Sequence, residues 1–238
     1  MSCPWFHAAH LPAPGDVVAL DREEAKHALG VRRLGAGDGV TLFDGRGGAA
    51  DAAITGDRDR DGGVLARVTA VRSVARPEPD VLVGIAPPKG DRWSTALDML
   101  GQLGVAAIVP LDAAHGVVDA SGINRARAER ILLESCKQSR GAWLPELRAP
   151  QSLAAFVASA RAEGRRVLLA QPGGAAVASL ASRRVAIAIG PEGGFSAQEI
   201  DAALAAGAEA ADLGTTILRV ETAAVAMAAA LRLLPVGA

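Results

Sequence analysis

The sequence has no excess of either charge. Its 238 residues include 25 lysines and arginines and 26 aspartates and glutamates, which gives a net charge of −1 at pH 7. A protein that is held on nucleic acid mainly by electrostatic attraction carries a basic surface over the whole domain. The composition excludes that mode of binding, so any contact with RNA has to be local.

Cysteine is scarce, and long hydrophobic runs are absent. Cys3 and Cys136 are too few for a disulfide framework, and neither has a metal-ligand spacing with any of the four histidines. We therefore expect two free thiols and no metal. No apolar run reaches the length of a membrane span, and the first residues lack the basic region and apolar core of a secretion signal. We expect no contact with a membrane and a cytoplasmic location.

A glycine-rich segment, Gly190-Pro-Glu-Gly-Gly-Phe-Ser196, follows an apolar, β-branched run. Its glycines allow the backbone to turn tightly and to approach a ligand, and Ser196 with Glu199 predicts a capping box at the start of a helix. Backbone N–H groups and a positive helix end then meet at one point, which suits a phosphate, a carboxylate or a polar cofactor edge. The segment contains neither GxGxxG nor Gly-Lys-Ser/Thr. By itself it fits a plain strand-to-helix turn equally well.

A second segment, Leu213-Gly-Thr-Thr-Ile-Leu-Arg-Val-Glu-Thr222, also follows a short apolar strand. It is predicted to place Arg219 and Glu221 in a loop just before a helix. We expect this loop and the glycine-rich segment to converge at the carboxyl ends of neighbouring strands, where open α/β sheets bind ligands. The alternative is that Arg219 and Glu221 pair with each other and only fix the loop.

The prolines in Arg76-Pro-Glu-Pro79 predict a linker between two domains, residues 1–76 and 77–238. Before it, short segments rich in Val, Leu and Thr predict a small β-barrel with one helix, from Asp21 to about Leu29. After it, strands and helices alternate, which predicts an α/β domain around a parallel sheet. The predicted strands are Val81–Ala86, Val105–Leu111, Val167–Ala170 and Val185–Ile189, and the predicted helices are Asp91–Leu103, Asn124–Arg140, Ser152–Glu163 and Thr222–Leu234.

Basic residues occur in three groups that could make local contacts with RNA. For each group the alternative is an ordinary solvated surface charge. The groups are Arg32, Arg33 and Arg46 in the first third of the chain, Lys89 and Arg92 near the middle, and Arg125, Arg127 and Arg130 on one predicted helix.

Taken together, the stretches from Ile189 to Ile200 and from Leu213 to Ala223 resemble the RsmE family, the bacterial 16S rRNA (uracil-N3)-methyltransferases of the SPOUT superfamily. Upstream, Leu42-Phe-Asp-Gly45 resembles the end of a segment in the family's PUA-like barrel. Lys89-Gly-Asp-Arg92 resembles the start of the family's second domain. The resemblance covers nearly the whole chain.

The resemblance implies a C-terminal SPOUT domain with a deep trefoil knot around the parallel sheet, preceded by a PUA-like barrel. It also implies a homodimer with the knot at the interface and no metal. Three loops would bind S-adenosyl-L-methionine, largely through backbone groups. The residues implied are Leu169, Ala170, Gln171, Ile189, Gly190, Pro191, Glu192, Gly193, Gly194, Leu213, Gly214, Ile217, Leu218 and Thr222.

The reaction implied by the resemblance moves a methyl group to N3 of a uridine at the decoding centre of 16S rRNA. Neutral N3 carries a proton, so the site has to assist its removal and stabilise negative charge on the flanking carbonyl oxygens. Arg219 is predicted to stabilise that charge, and Glu221 to orient Arg219 or to relay the proton. The RNA-binding residues are predicted to be Arg32, Arg33, Arg46, Lys89 and Arg92.

Several positions depart from the family's usual pattern. Thr216 stands where an arginine is common, Met99 where a lysine is common and Gln102 where a glutamate is common, and His115 is near an expected arginine. These differences concern RNA affinity more than the cofactor loops. Two alternatives stay open: a SPOUT methyltransferase that acts on another RNA, such as tRNA or 23S rRNA, and a non-catalytic RNA-binding dimer.

Overall fold

A computed structural model describes residues 3–26, 28, 30, 33–60, 63–180 and 182–233. They form two compact units. The first contains Met1–Arg76 together with Cys136–Leu144, and the second contains Pro77–Ser135 together with Pro145–Ala238.

The first unit is built on a five-stranded sheet in the order β1-β3-β4-β5-β2. Strand β1 runs parallel to β3, and the other neighbours are antiparallel. Helix α1 covers Arg22–Lys26, and Asp21 accepts a hydrogen bond from the Glu24 N–H as predicted. The predicted helix end at Leu29 lies outside the described residues. The strands are β1 (Trp5–His7), β2 (Val17–Ala19), β3 (Gly39–Phe43), β4 (Gly48–Arg58) and β5 (Val64–Ser73).

Residues 136–144 complete the first unit by packing against the turn at 45–47. The indole N–H of Trp143 donates to the Val74 carbonyl at 2.9 Å, and the Gly47 N–H donates to the Ala142 carbonyl at 3.0 Å. Gly47 has a φ of +95°, and a Cβ at this position would lie 2.4 Å from the Trp143 ring. Only glycine fits both the backbone conformation and the space.

The second unit is an α/β domain around a seven-stranded sheet in the order β12-β10-β11-β6-β7-β8, with β9 also paired to β7. Every pair of neighbours is parallel, which confirms the predicted fold class. The strands are β6 (Asp80–Ile85), β7 (Ala107–Asp112), β8 (Glu146–Leu147), β9 (Gln151–Ser152), β10 (Arg166–Ala176), β11 (Arg184–Ile189) and β12 (Glu209–Asp212).

The helices that follow β6 match the predicted positions closely. Helix α2 has Asp91 and Leu103 as its caps, and α4 is capped by Ser152, whose side chain accepts from the Ala155 N–H. None of the described helices is both long and apolar enough to cross a membrane. The helices are α2 (Arg92–Gln102), α3 (Arg125–Ser139), α4 (Leu153–Ala162), α5 (Ala197–Ala205) and α6 (Val220–Leu233), with short 3-10 helices at Ala120–Gly122 and Val177–Leu180.

Two boundaries differ from those predicted in a way that affects the functional site. Strand β10 continues to Ala176, well beyond the predicted end at Ala170, because it resumes pairing with β12 after an irregularity. Helix α6 begins at Val220 rather than at Thr222. The Ala223 N–H donates to the Arg219 carbonyl at 2.8 Å, so the helical hydrogen bonds already start at Arg219.

We expect Gly47→Ala to destabilise the first unit by about 2 kcal/mol or more, because the methyl group adds overlap with Trp143 to the strain of a positive φ. Gly37→Ala is the matched control. Gly37 also has a positive φ, +88°, but a Cβ there would meet nothing within 4 Å. Urea unfolding of both variants checks the expectation, which is wrong if the two substitutions lower the free energy of unfolding by the same amount.

Candidate functional site

A cavity of about 480 Å³ lies in the second unit, at the carboxyl ends of β11 and β12 and at the irregularity within β10. Open α/β sheets bind ligands at this edge, and the volume falls in the range of small-molecule sites. Three loops form its walls. The lining residues are 170–172, 189–195, 211–214 and 216–220, with Ala223.

Most of the cofactor residues implied by the resemblance line this one cavity. The exceptions are Leu169, which is fully buried within β10, and Thr222, which is exposed on α6. Sequence reasoning missed several lining residues that neighbour the predicted ones in the same three loops. These are Pro172, Phe195, Ala211, Asp212, Val220 and Ala223.

The glycine turn between β11 and α5 has little room for side chains. A Cβ at Gly190 would lie 3.0 Å from the Phe195 ring, and Gly194 has a φ of +72°. The Gly194 N–H closes the turn by donating to the Pro191 carbonyl at 2.8 Å. The predicted capping box is confirmed, because the Ser196 side chain accepts from the Glu199 N–H and Glu199 accepts from the Ser196 N–H.

Glu199 also connects this turn to the loop that follows β7. Its Oε1 atom accepts from the Ala114 N–H at 3.0 Å, while Oε2 accepts from the Ser196 N–H at 2.8 Å. His115, the residue after Ala114, places its Nδ1 atom 3.2 Å from the Gly194 carbonyl oxygen. A Cβ at Gly193 would lie 3.2 Å from the Cβ of His115. The Glu199 carboxylate therefore joins the glycine turn to the loop that follows β7.

The ionised form of Glu199 is the one that this arrangement favours. Partial burial raises the pKa of Glu199, but the hydrogen bonds from Ser196 and Ala114 outweigh it, and the net pKa lies below the ordinary 4.5. Backbone N–H groups stabilise a carboxylate more than a neutral carboxyl group.

Arg219 and Glu221 lie at the start of α6, but only Arg219 lines the cavity. The prediction that both precede the helix is wrong for Glu221, which lies within the first turn of α6. Arg219 is exposed. Among the described residues no ion pair joins the two side chains, and the buried Oε2 atom of Glu221 has no hydrogen-bond partner there. The alternative in which they pair to fix the loop is therefore not observed.

Arg92, one of the predicted RNA-binding residues, contacts the cavity wall. Its guanidinium is 3.1 Å from the carboxylate of Glu192, a lining residue, and its Nε donates to the carbonyl of the exposed Lys89. Arg33 and Arg46 are exposed in the first unit. Arg32 lies outside the described residues.

The lining suits a ligand with an apolar body and a few polar edges. Glycine backbone and apolar side chains dominate, while Gln171, Glu192, Asp212, Thr216 and Arg219 supply the polar groups. In the described part of the chain, no three His, Cys, Asp or Glu side chains are grouped so as to hold a metal ion.

Two family models match the chain. The model of an RNA methyltransferase domain matches residues 76–232, and the model of an RNA methyltransferase PUA domain matches residues 20–62. The first match includes all three loops of the cavity.

Individual relatives agree with these models. The ribosomal RNA small subunit methyltransferase E of Mycobacterium bovis is 32% identical, over 92% of this chain and 87% of its own length. A solved ribosomal RNA small subunit methyltransferase E of Neisseria gonorrhoeae, bound to S-adenosyl methionine, has a TM-score of 0.88 and 27% identity, with 98% of both chains covered. A Legionella pneumophila protein solved with bound SAM has a TM-score of 0.86 and 29% identity, again with 98% of both chains covered.

We expect Glu199→Gln to lower the free energy of unfolding by about 1–2 kcal/mol at pH 7, because an amide cannot accept hydrogen bonds on both of its ends. The pKa of Glu199 is lowered, so its contribution is complete above about pH 4.5 and is lost as the pH falls through that lowered value. The difference from wild type should therefore shrink between pH 7 and the lowest pH at which both proteins still fold.

Urea unfolding at the two pH values measures this difference. The control is Asp201→Asn, because Asp201 is an exposed carboxylate on the same helix, α5. This substitution should change the free energy of unfolding little at either pH. An equal effect of Glu199→Gln at both pH values would contradict the expectation.

Proposed function

Because the chain belongs to the ribosomal RNA small subunit methyltransferase E family, we propose that it transfers a methyl group from S-adenosyl-L-methionine to 16S ribosomal RNA. The observation that carries this proposal is the cavity, in which three loops from separate parts of the sequence form one site of suitable size. Two solved relatives with the same fold bind this cofactor.

The residues at the cavity fit the cofactor. Ile189, Leu213 and Leu218 line the cavity and would provide apolar walls for the cofactor, and the glycines at 190 and 193 leave room for its polar edges to approach backbone N–H and carbonyl groups. Gln171 adds a side-chain donor and acceptor. When bound, S-adenosyl-L-methionine supplies an electrophilic methyl group, so the transfer itself needs no metal.

The methylated atom is proposed to be N3 of a uridine. N3 lies on the pairing edge of uracil, so the target base has to be unpaired or turned out of the helix. Loss of the N3 proton places negative charge on the flanking carbonyl oxygens. Arg219 is suited to stabilise that charge, because its exposed guanidinium lines the cavity and no carboxylate of the described residues pairs with it.

Glu221 is proposed to act indirectly. Glu221 lies in the first turn of α6, two residues after Arg219, where it does not line the cavity and one of its carboxylate oxygens is buried. We propose that it orients Arg219 through this turn, in preference to relaying the N3 proton.

RNA is proposed to approach along the side of the cavity where Arg92 contacts Glu192 and where Lys89 is exposed. Arg33 and Arg46, with Arg32, are proposed to bind rRNA from the first unit, which would act as the RNA-binding PUA domain. The active form is proposed to be a homodimer with a trefoil knot at its interface, in the cytoplasm where ribosomal subunits are found. These contacts are local, in keeping with the net charge of −1.

We expect the protein to transfer label from S-adenosyl-L-methionine to small subunits taken from a strain that lacks the modification. Nucleoside mass spectrometry should find the label as 3-methyluridine at a single site. Label in tRNA or 23S rRNA instead would show that 16S rRNA is not the substrate. Cofactor binding without transfer to any RNA would indicate a non-catalytic RNA-binding dimer.

We expect Arg219→Ala to lower kcat by about 10²–10³-fold, the usual effect of losing one group that stabilises developing negative charge. The affinity for S-adenosyl-L-methionine should change little. Arg184→Ala is the control, because Arg184 is an exposed arginine at the opposite end of β11. Single-turnover methylation and calorimetry separate the two effects. An unchanged kcat would remove Arg219 from the proposed chemistry.

A further inference from the structure

Strand β10 interrupts its pairing with β12 at the cavity. Ala170 and Ala175 both pair with Ala211, so residues 171–174 leave the pairing and form a bulged loop within β10. Gly174 lies so close to β12 that a Cβ there would be 2.5 Å from the carbonyl carbon of Ala210. Because that neighbour is backbone, any side chain at Gly174 would force the strands apart.

Asp212, the last residue of β12, connects this loop to the next one along the cavity wall. Its Oδ2 atom accepts from the Gly173 N–H at 2.8 Å, and its Oδ1 atom accepts from the Gly214 N–H at 2.9 Å. Gly173 and Gly214 both have positive φ values, +78° and +116°. Each carboxylate oxygen therefore holds one loop in a backbone conformation that few other residues adopt.

The loops at 171–174 and 213–218 both line the cavity. Gln171 and Pro172 line the cavity just before Gly173, and Leu213 and residues 216–218 line it around and after Gly214. We infer that Asp212 is a positioning residue that fixes the distance between these two loops and thereby prepares the cavity for S-adenosyl-L-methionine. This inference rests on the proposed function, and it adds a residue that the family resemblance did not point to.

The negative charge of Asp212 is important for this role. A carboxylate can accept on both oxygens, whereas the amide of asparagine accepts on one side only and would direct its NH₂ group at the second backbone donor. The hydrogen bonds from Gly173 and Gly214 also keep the pKa of Asp212 below its ordinary value of 3.8. The carboxylate is therefore ionised at neutral pH.

Strand pairing fixes the loop at 171–174 only at its two ends, through Ala170 and Ala175, and the loop at 213–218 lies beyond the last paired residue of β12. Preorganised sites bind more tightly because the ordering is complete before the ligand arrives. Without the bridge, the loops would have to be ordered when the cofactor binds, so the loss should appear in cofactor affinity more than in the rate of the chemical step.

We expect Asp212→Asn to weaken S-adenosyl-L-methionine binding by about tenfold, as measured by calorimetry, and to raise its KM by a similar factor. At saturating cofactor, kcat should stay within about threefold of wild type. Asp212→Ala should have the larger effect on affinity. In hydrogen-exchange measurements without cofactor, the amides of Gly173 and Gly214 should exchange faster in both variants.

Asp119→Asn is the matched control. Asp119 also accepts hydrogen bonds from a neighbouring backbone N–H and lies in the second unit, but it does not line the cavity. This variant should leave cofactor affinity and the exchange of Gly173 and Gly214 unchanged.

The possible failures can be told apart. Wild-type protein that binds no S-adenosyl-L-methionine would overturn the proposed function, and this inference with it. Normal wild-type binding with an Asp212→Asn affinity within twofold would overturn this inference alone. A tenfold loss of affinity with unchanged exchange at Gly173 and Gly214 would also overturn it, because Asp212 would then contact the cofactor directly instead of positioning the loops.

Discussion

The parallel pairing of β11, β10 and β12 is the constraint on which the functional site depends. Parallel neighbours end at the same edge of the sheet, so the loops that follow β11 and β12 converge there with the loop at 171–174 within β10, although other elements separate them in the chain. The cavity lies where they meet. Residues 167–169 of β10 and 185–189 of β11 are buried, so the central strands form a stable frame for the irregular loops.

Two carboxylates stabilise the irregular backbone around the cavity in the same manner. Glu199 joins the glycine turn to the loop after β7, and Asp212 joins the loop at 171–174 to the loop at 213–218. Each side chain accepts backbone N–H groups from two places at once. Hydrogen bonds to an ionised acceptor are stronger than those between neutral groups, and loops without regular structure have backbone donors to satisfy.

The position of His115 gives a structural meaning to one of the departures from the family pattern. His115, which is near an arginine position of the family pattern, lies against Gly193 and the Gly194 carbonyl. Thr216, another departure, lines the cavity and is exposed. Thr216 adds no charge, so in the second unit the positive charge proposed to meet the RNA comes from Lys89, Arg92 and Arg219.

The sequence by itself determined the features that depend on a few neighbouring residues. Ser152 and Ser196 cap helices with their side chains where the sequence predicted it, α2 begins just after the predicted Asp91, and the apolar runs are the strands of the parallel sheet. The glycines at 190, 193 and 194 likewise predicted a turn that approaches a ligand. Propensity and capping act within one or two turns of the chain, so they can be read locally.

Only the tertiary structure decided the features that depend on distant residues. The hydrogen bonds from Ala114 to Glu199 and from Gly173 to Asp212 join positions 85 and 39 residues apart. The close approach of Gly174 to β12, the packing of Trp143 on Gly47 and the start of α6 at Val220 also depend on which elements become neighbours. Such contacts arise from strand pairing and register across the whole domain, and no local pattern of residues contains that information.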